Sequence, residues 1–275
     1  MIPAIGYSLW EENRPVFDDP ALNAVEITFD RVDDPLRLSG CLGDLDLKYV
    51  SVHALKLSPA SPEPPARSYL DALRAMADEN GAAAVSDHLG FTRDGAGGVE
   101  LAHFAPPPFT VEALDATCRN LDLIQNYFHG RPFYLENIAA LFHLRGTMSE
   151  ADFLTRVLER TGCGWLLDVT NLYANARNHG FAAADFLRQV VPVAPRLQVH
   201  LSGGFFDPEA GLYIDSHSRP VPDEVWGLYR QALELARGKV DAVFIERDQD
   251  FPDDAGWRAE GREARRIAEE VEAGP

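Results

Sequence analysis

Gly164-Trp-Leu-Leu-Asp-Val-Thr-Asn171, continuing as Leu172-Tyr-Ala-Asn-Ala-Arg-Asn-His-Gly180, is the stretch on which the fold turns. It opens as a short apolar run of the kind that forms a strand buried on both faces, and it sets Asp168 and Asn171 where that run meets a polar loop. An ionised Asp in such a place needs a cation, several hydrogen-bond donors or a proton, because desolvating an unpaired charge costs several kcal/mol. The other strands decide between these.

The same pattern repeats on both sides. Upstream, Ala4–Ser8, Asn23–Asp30, Tyr49–Leu55, Ala83–Phe91 and Phe133–Ile138 read as strands, most of them ending in polar residues. Downstream, Arg196–Gly203 and Asp241–Asp248 do the same. Helices are expected at Asp34–Leu42, Pro65–Asn80, Thr110–Phe128 with Thr110 as N-cap, from Ser149 onward, Ala182–Val191, Pro222–Gly238 with Pro222 at the first helical position, and Asp254–Glu272. The last has the weakest apolar stripe. Asp94-Gly-Ala-Gly-Gly98 and Pro106-Pro-Pro108 bound what reads as a long irregular loop.

Eight apolar strands alternating with helices or long connections over ~250 residues imply a closed parallel (β/α)₈ barrel of the TIM type, one domain spanning residues 1–275. A doubly wound open sheet would usually carry a Gly-rich first turn, which is lacking, as are a P-loop and a G-x-S-x-G elbow. Hydrophobic residues make up 46% and charged residues 25%, an ordinary globular composition. No apolar run approaches the ~20 residues of a membrane span, and the N-terminus does not resemble a signal peptide, so the expected location is cytoplasmic. The formal charge of −18, with only Lys48, Lys56 and Lys239 as lysines, argues against nucleic-acid binding. Cys41, Cys118 and Cys163 form no Cys-x-x-Cys pair and read as small core residues.

His53, His88, Glu136, Asp168, His200 and Glu246 all fall at or near the C-terminal ends of strands three to eight, and Asn171, Asp215 and His217 lie in the loops beyond. In a parallel barrel those ends converge on the face where barrel enzymes build their sites. Singly, each has a bland explanation: a strand histidine is more often a satisfied core residue, and a carboxylate at a strand end more often caps a helix. The same accident would have to recur in six consecutive strands. Four histidines, four carboxylates and an amide exceed the ligands of one metal, and carboxylates such as Glu136 and Asp168 can bridge two ions, so two or three metals are expected. Imidazole and carboxylate without cysteine suit iron, manganese or zinc. Among the remaining histidines, His103 is the best placed for a further ligand; His129 and His143 sit in loops or at a helix end, and His179 in a polar turn at the surface or behind the ligands. Asp248 and Arg247, next to Glu246, are candidates for orienting a ligand or moving a proton, and Asp248 could equally cap the last helix.

Ser86-Asp-His-Leu89, Glu136-Asn-Ile138, Leu167-Asp-Val-Thr-Asn171 with Asn178-His-Gly180, His200-Leu-Ser-Gly203, Ile214-Asp-Ser-His217 followed by Pro220-Val-Pro-Asp-Glu-Val-Trp226, and Glu246-Arg-Asp248 together resemble the signature blocks of the multinuclear non-haem iron-dependent oxidative enzymes, the family of the methanobactin-maturation oxidase. The resemblance runs in order over roughly residues 50 to 255. It implies a barrel of the xylose-isomerase type, two or three irons in mixed Fe(II)/Fe(III) states, dioxygen as cosubstrate, and modification of a residue, often cysteine, of a ribosomally synthesised precursor peptide, with a partner protein that captures the peptide's leader. Carried over by motif, the ligands would be His53, His88, Glu136, Asp168, Asn171, His200, Asp215, His217 and Glu246. Thr170, where the family commonly has Asn, and Arg247 depart from the pattern without removing a ligand.

Other chemistries remain on the same scaffold. A divalent-metal sugar isomerase would want a cavity lysine, for which Lys56 just past strand three is the one candidate. A three-zinc phosphodiesterase acting on DNA would want a basic face. A binding protein could hold metal for stability alone.

Overall fold

The structure, a computed structural model, describes residues 1–32, 42–43, 45–93 and 100–274, with the side chains of 100, 102 and 103 outside the description. The chain lays down β1 (Ala4–Ser8), β2 (Ala24–Thr28), β3 (Tyr49–His53), α1 (Arg67–Glu79), β4 (Ala84–His88), β5 (Phe91–Arg93), β6 (Glu100–Ala105), α2 (Val111–Tyr127), β7 (Phe133–Glu136), α3 (Glu150–Thr161), β8 (Gly164–Asp168), α4 (Val169–His179), α5 (Ala183–Val190), β9 (Leu197–Leu201), β10 (Phe205–Asp207), β11 (Leu212–Ile214), α6 (Asp223–Ala236), β12 (Val240–Ile245) and α7 (Asp254–Ala273). Eight of the strands close into a parallel barrel in the order β1-β12-β9-β8-β7-β4-β3-β2. The expected (β/α)₈ architecture is therefore present.

Alternation along each strand divides the barrel into two environments. Val52, Val85, Leu135, Trp165, Leu167, Val199, Val243 and Ile245 point outward and join the large core formed with the surrounding helices. The inward positions hold two small apolar clusters, Ala24 with Ala242 and Phe244, and Ala84 with Tyr134 and Leu166. Two residues beyond Tyr134, Leu166 and Phe244 come Glu136, Asp168 and Glu246, and His53, His88 and His200 take the inward positions at the C-terminal ends of β3, β4 and β9. A mainly apolar layer, crossed by Gln198 donating to Tyr49 and Ser51, thus fills the lower barrel and a more polar layer caps it.

Most expected helices stand within a few residues of their sequence limits, with side-chain caps on Thr110 and Ser149. Pro222 is the extended N-cap of α6 rather than its first helical residue. Three segments differ from expectation. The polar loop after Asp168 is the helix α4, which buries Val169, Leu172 and Tyr173 in the core together with the polar Thr170, Asn171 and Asn175, so polar and apolar residues are mixed along it. The irregular segment after β4 contains an antiparallel strand pair, β5/β6, and residues 94–99 between the two strands lie outside the described residues. The long loop after β9 contains a hairpin, β10/β11. The helix expected over Asp34–Leu42, and Cys41 within it, lie almost wholly outside the described residues; Cys118 and Cys163 are buried as expected.

The charged last helix closes the molecule. Trp257 packs edge-on against Tyr7, whose hydroxyl donates to the Trp257 carbonyl. Arg262 pairs with Asp19, and Arg265 donates to the carbonyl of Ala21. A Cβ on Gly261 would stand 2.4 Å from Leu22 Cδ2, so glycine here permits the close approach of α7 to the segment before β2.

Candidate metal centre

The C-terminal ends of six barrel strands bring their predicted ligands together. Nε2 of His53 and Nε2 of His88 both lie 3.4 Å from Glu136 Oε2. Nδ1 of His200 lies 3.5 Å from Glu136 Oε1 and 3.2 Å from Glu246 Oε2. Two groups result, in each of which the ligand atoms lie within 4.8 Å of one another: His53, His88 and Glu136, and Glu136, Asp168, His200 and Glu246. Glu136 belongs to both, turning one oxygen to each.

Local sequence explains how these side chains are aimed. The Ser86 hydroxyl is 2.9 Å from His53 Nδ1, which leaves Nε2 facing the group. Asp87 points outward beneath its neighbour, accepting from the backbone N–H of His88 and of Leu57, and lies 3.3 Å from His88 Nδ1. The His88 ring stacks on Phe104 at 3.8 Å, the service that the strand pair β5/β6 performs. Asn137 stitches β7 to β8: its amide donates to the carbonyl of Asp168, while its oxygen accepts from the N–H of Asp168 and the indole of Trp165.

Asp168 has two tasks. Its Oδ1 caps α4 by accepting from the N–H of Asn171 at 2.6 Å, and its Oδ2 has no partner. Capping, which competes with ligation as an explanation when the sequence alone is read, occupies one oxygen and leaves the other available. The Asn171 amide donates to the carbonyl of Asn137, leaving its own oxygen unpartnered. Thr170 is turned away, exchanging two 2.9 Å hydrogen bonds with the backbone of Ser202.

Asp215 and His217 arrive on the loop after β11. The glycines that open this connection make its path possible: a Cβ on Gly203 would meet the carbonyls of Arg219 and Pro220 at 2.1 and 2.2 Å, and one on Gly204 the carbonyl of Ile214 at 2.1 Å. The Ser202 hydroxyl donates to Asp215 Oδ1, and Asp215 Oδ2 is 2.9 Å from His217 Nε2. His217 has a left-handed φ of 50°, rare for a non-glycine residue, and its Nδ1 lies 3.7 Å from Glu246 Oε2 and 3.6 Å from Asp248 Oδ2. The pair thus borders the inner cluster on its outer side.

Asp248 is clamped by Arg31, whose guanidinium donates to both carboxylate oxygens at 2.7 and 2.8 Å. Arg247 turns the opposite way and binds Glu260 on α7, so it anchors the closing helix and orients no ligand. His129 and His143 are exposed, His179 ends α4 against the carbonyl of Ala140, and the side chain of His103 lies outside the description. Lys56 is exposed and lies 3.7 Å from Asp30. The residue that sequence reading missed is Glu26 in the middle of β2, fully buried, with Oε1 2.9 Å from His200 Nε2. Its signal was the two-residue period of the strand, which turns Ala24, Glu26 and Thr28 to the same side.

The electrostatics ask for cations. Burial, reinforced by Asp215, Glu136 and Glu246, holds the Asp168 carboxyl well above its usual range. Burial would lower His200 and His217, but the surrounding carboxylates outweigh it and hold both well above the usual imidazole range. Burial, against the pull of Glu26, takes His53 down to about 3, which keeps it neutral and able to ligate. Among the described residues this region holds a cluster of unpartnered buried atoms, Glu26 Oε2, Glu136 Oε2, Asp168 Oδ2, Asn171 Oδ1, both ring nitrogens of His200 and Nδ1 of His217, while the others are scattered over the molecule. Native proteins seldom leave such atoms unsatisfied, and a nitrogen and oxygen donor set with a shared carboxylate fits two neighbouring metal ions.

A family model described as the RiPP precursor modification enzyme MbnB/TglH/ChrH matches residues 30–269. The chain belongs to this family. Its relatives include a UPF0276 protein of Rhizorhabdus wittichii, 41% identical over 74% of this chain and 70% of its own length, and one of Caulobacter vibrioides, 39% identical over the same shares. Solved structures of similar fold include a D-psicose 3-epimerase from Clostridium cellulolyticum (TM-score 0.58, 12% identity, 98% of this chain and 97% of that one) and a xylose isomerase-like TIM barrel from Mycobacterium smegmatis (TM-score 0.58, 14% identity, 93% and 86%). At these identities the likeness is one of fold, and it agrees with the xylose-isomerase type of barrel expected from the sequence. Membership makes the chain one of a group of enzymes that modify ribosomally made precursor peptides. Among the described residues no helix is long and apolar enough to cross a membrane.

Proposed function

We propose that this chain is a multinuclear non-haem iron oxidase that uses dioxygen to modify a residue, cysteine by preference, of a ribosomally synthesised precursor peptide in the cytoplasm. The observation that carries the reading is Glu136, whose two oxygens face two separate ligand groups. His53 and His88 would hold one ion with Glu136, and Asp168, His200 and Glu246 a second. Asn171, Asp215 and His217 would hold an outer ion. Iron bound there would supply dioxygen activation and would lower the pKa of a substrate thiol.

The chain's own groups do the rest. The mainly apolar layer built on Ala24, Ala242, Phe244, Ala84, Tyr134 and Leu166 keeps water out of the site from below. Asp248, fixed by Arg31 and 3.6 Å from His217, is placed to accept a proton at the rim. Exposed Leu101, Leu141, Phe142, Phe205 and Phe206 lie on the connections that follow β4, β7 and β9, at the same end of the barrel as the ligands. They offer apolar contact to an entering peptide, and a partner that binds the leader would deliver it. The charge of −18 and the exposed Lys56 beside Asp30 favour neither the phosphodiesterase nor the isomerase alternative.

The test is anaerobic reconstitution with Fe(II), metal analysis and oxygen uptake with a cysteine-containing precursor peptide and its leader-binding partner. Two or more irons and peptide-dependent oxygen consumption are expected. Exclusive zinc or magnesium, with no oxygen uptake, would refute the reading.

A further inference from the structure

Glu26 is a carboxylate in the middle of a barrel strand, without solvent exposure, and belongs to neither ligand group. It also precedes residues 30–269, the stretch matched by the family model. Burying it costs several kcal/mol unless something compensates the charge. What it faces is specific. Its Oε1 lies 2.9 Å from Nε2 of His200 across the barrel and accepts from the Ser8 hydroxyl at 3.2 Å, and that hydroxyl is 3.3 Å from Glu246 Oε1.

Both nitrogens of His200 face carboxylates, as those of His88 and His217 also do, but at His200 none of these carboxylates comes from a neighbour in sequence. Nδ1 looks toward Glu136 and Glu246, and Nε2 toward Glu26. Neither makes an aligned hydrogen bond, so the final rotation of the ring is left to whatever binds it. A neutral imidazole carries one proton and one lone pair on different nitrogens. For His53 and His88 the division is made by close neighbours, Ser86 and Asp87. We infer that Glu26 is a positioning residue of the metal centre: it holds the proton of His200 on Nε2, so that Nδ1 is the atom offered to the ion shared with Glu136, Asp168 and Glu246. Carboxylates that accept the free N–H of a ligating histidine fix its ring and increase its basicity. Ser8 links this carboxylate to Glu246, another member of the same ligand group.

The inference rests on the metal-centre reading, and it can be tested apart from it. Full-length protein carrying ¹⁵N-labelled histidine is loaded with Zn(II), a diamagnetic probe, and long-range ¹H–¹⁵N correlation assigns the two nitrogens of His200. Protonated Nε2 with metal-bound Nδ1 is expected, and metal-bound Nε2 overturns the inference whatever the variants do. In competition titrations with a chelator, Glu26→Gln, which can still accept from Nε2–H, should weaken one Zn(II) site about tenfold and Glu26→Leu about a hundredfold, with the His53/His88 site unchanged. Wild-type affinity at both sites in Glu26→Leu also overturns it. Failure of the wild type to take up Zn(II) at all overturns the metal-centre reading itself and this inference with it, whereas uptake through Nε2 leaves that reading standing.

Discussion

At the scale of single residues, Asp168 shows how one side chain can satisfy both a structural and a chemical reading. Asn is as good an N-cap as Asp, so Asp168→Asn should keep α4 while removing the charged ligand. Chelated Asp168→Asn is expected to unfold at or above the wild-type temperature, because the lost charge faced Asp215, Glu136 and Glu246, yet to bind less metal. Asp168→Ala loses the cap as well and should be about 1 kcal/mol less stable than the Asn variant. Wild-type metal binding in Asp168→Asn, with a loss of stability only in Asp168→Ala, would assign Asp168 to capping alone. Glu150 supplies a pH test away from the cluster. Burial pushes its carboxyl up to about 7, with only the Asn175 amide opposing. The folded state therefore binds the proton more tightly than the unfolded chain, so this stability is present below about pH 4.5 and is lost as pH rises through about 7. Glu150→Gln should stabilise the protein at pH 8 relative to wild type by roughly 1–2 kcal/mol, and hardly at all at pH 4.5, in thermal unfolding scans. A pH-independent difference would contradict the burial argument. Six of the clustered candidates were legible because each stands at or just past the end of a strand, where a polar residue interrupts an apolar run. Glu26 was not, because it interrupts its strand midway and only the barrel's closure brings β2 opposite β9.

At the scale of elements, sequence reading succeeded where a segment buries apolar residues and failed where it buries polar ones. The eight barrel strands and most of the helices carry period-two or helical apolar patterns, and they stand where those patterns put them. Helix α4 inverts the rule. Asn171, Asn175 and Asn178 recur at helical spacing on its buried face, bonding respectively to the backbone of Asn137, of Ile138 and Ala140, and of Tyr213. That i, i+4, i+7 recurrence was the available signal, and it reads as a loop when polarity alone is followed. Asn178 also braces the connection that carries Asp215 and His217, through the backbone of Tyr213. Gly203 is the tightest point of that bracing, and Gly203→Ala would drive a methyl group into two backbone carbonyls. The expected result is a loss of about 2 kcal/mol or more and displacement of the loop carrying Asp215 and His217, with the His53/His88 group left able to bind metal. Amide exchange over residues 203–220 would report the displacement. Wild-type protection there would show that the loop tolerates the side chain.

At the scale of the whole molecule, the barrel gathers one part of a large negative charge into a small buried volume. The chain carries a formal −18, and Glu26, Glu136, Asp168 and Glu246 contribute to it from inside the barrel end, where water cannot screen them. Surface repulsion responds to salt over a Debye length of about 8–10 Å, whereas buried pairs respond much less. Two terms should therefore separate on titration. Sodium chloride should raise the unfolding temperature of chelated protein modestly by screening the surface. Fe(II) or Zn(II) should raise it further and in a salt-insensitive way, because the ions bind only the folded cluster. At a free metal concentration of 100 times Kd, each site contributes about 2.7 kcal/mol. For a chain of this size that corresponds to roughly 5–10 °C per occupied site. Calorimetry of chelated, singly loaded and fully loaded protein should thus show stepwise increases, and Glu136→Gln should remove more than one step because both inner groups share that carboxylate. If high salt alone brought the chelated protein to the unfolding temperature of the loaded one, the stabilisation would belong to the surface, and the buried cluster would not be where the metals act.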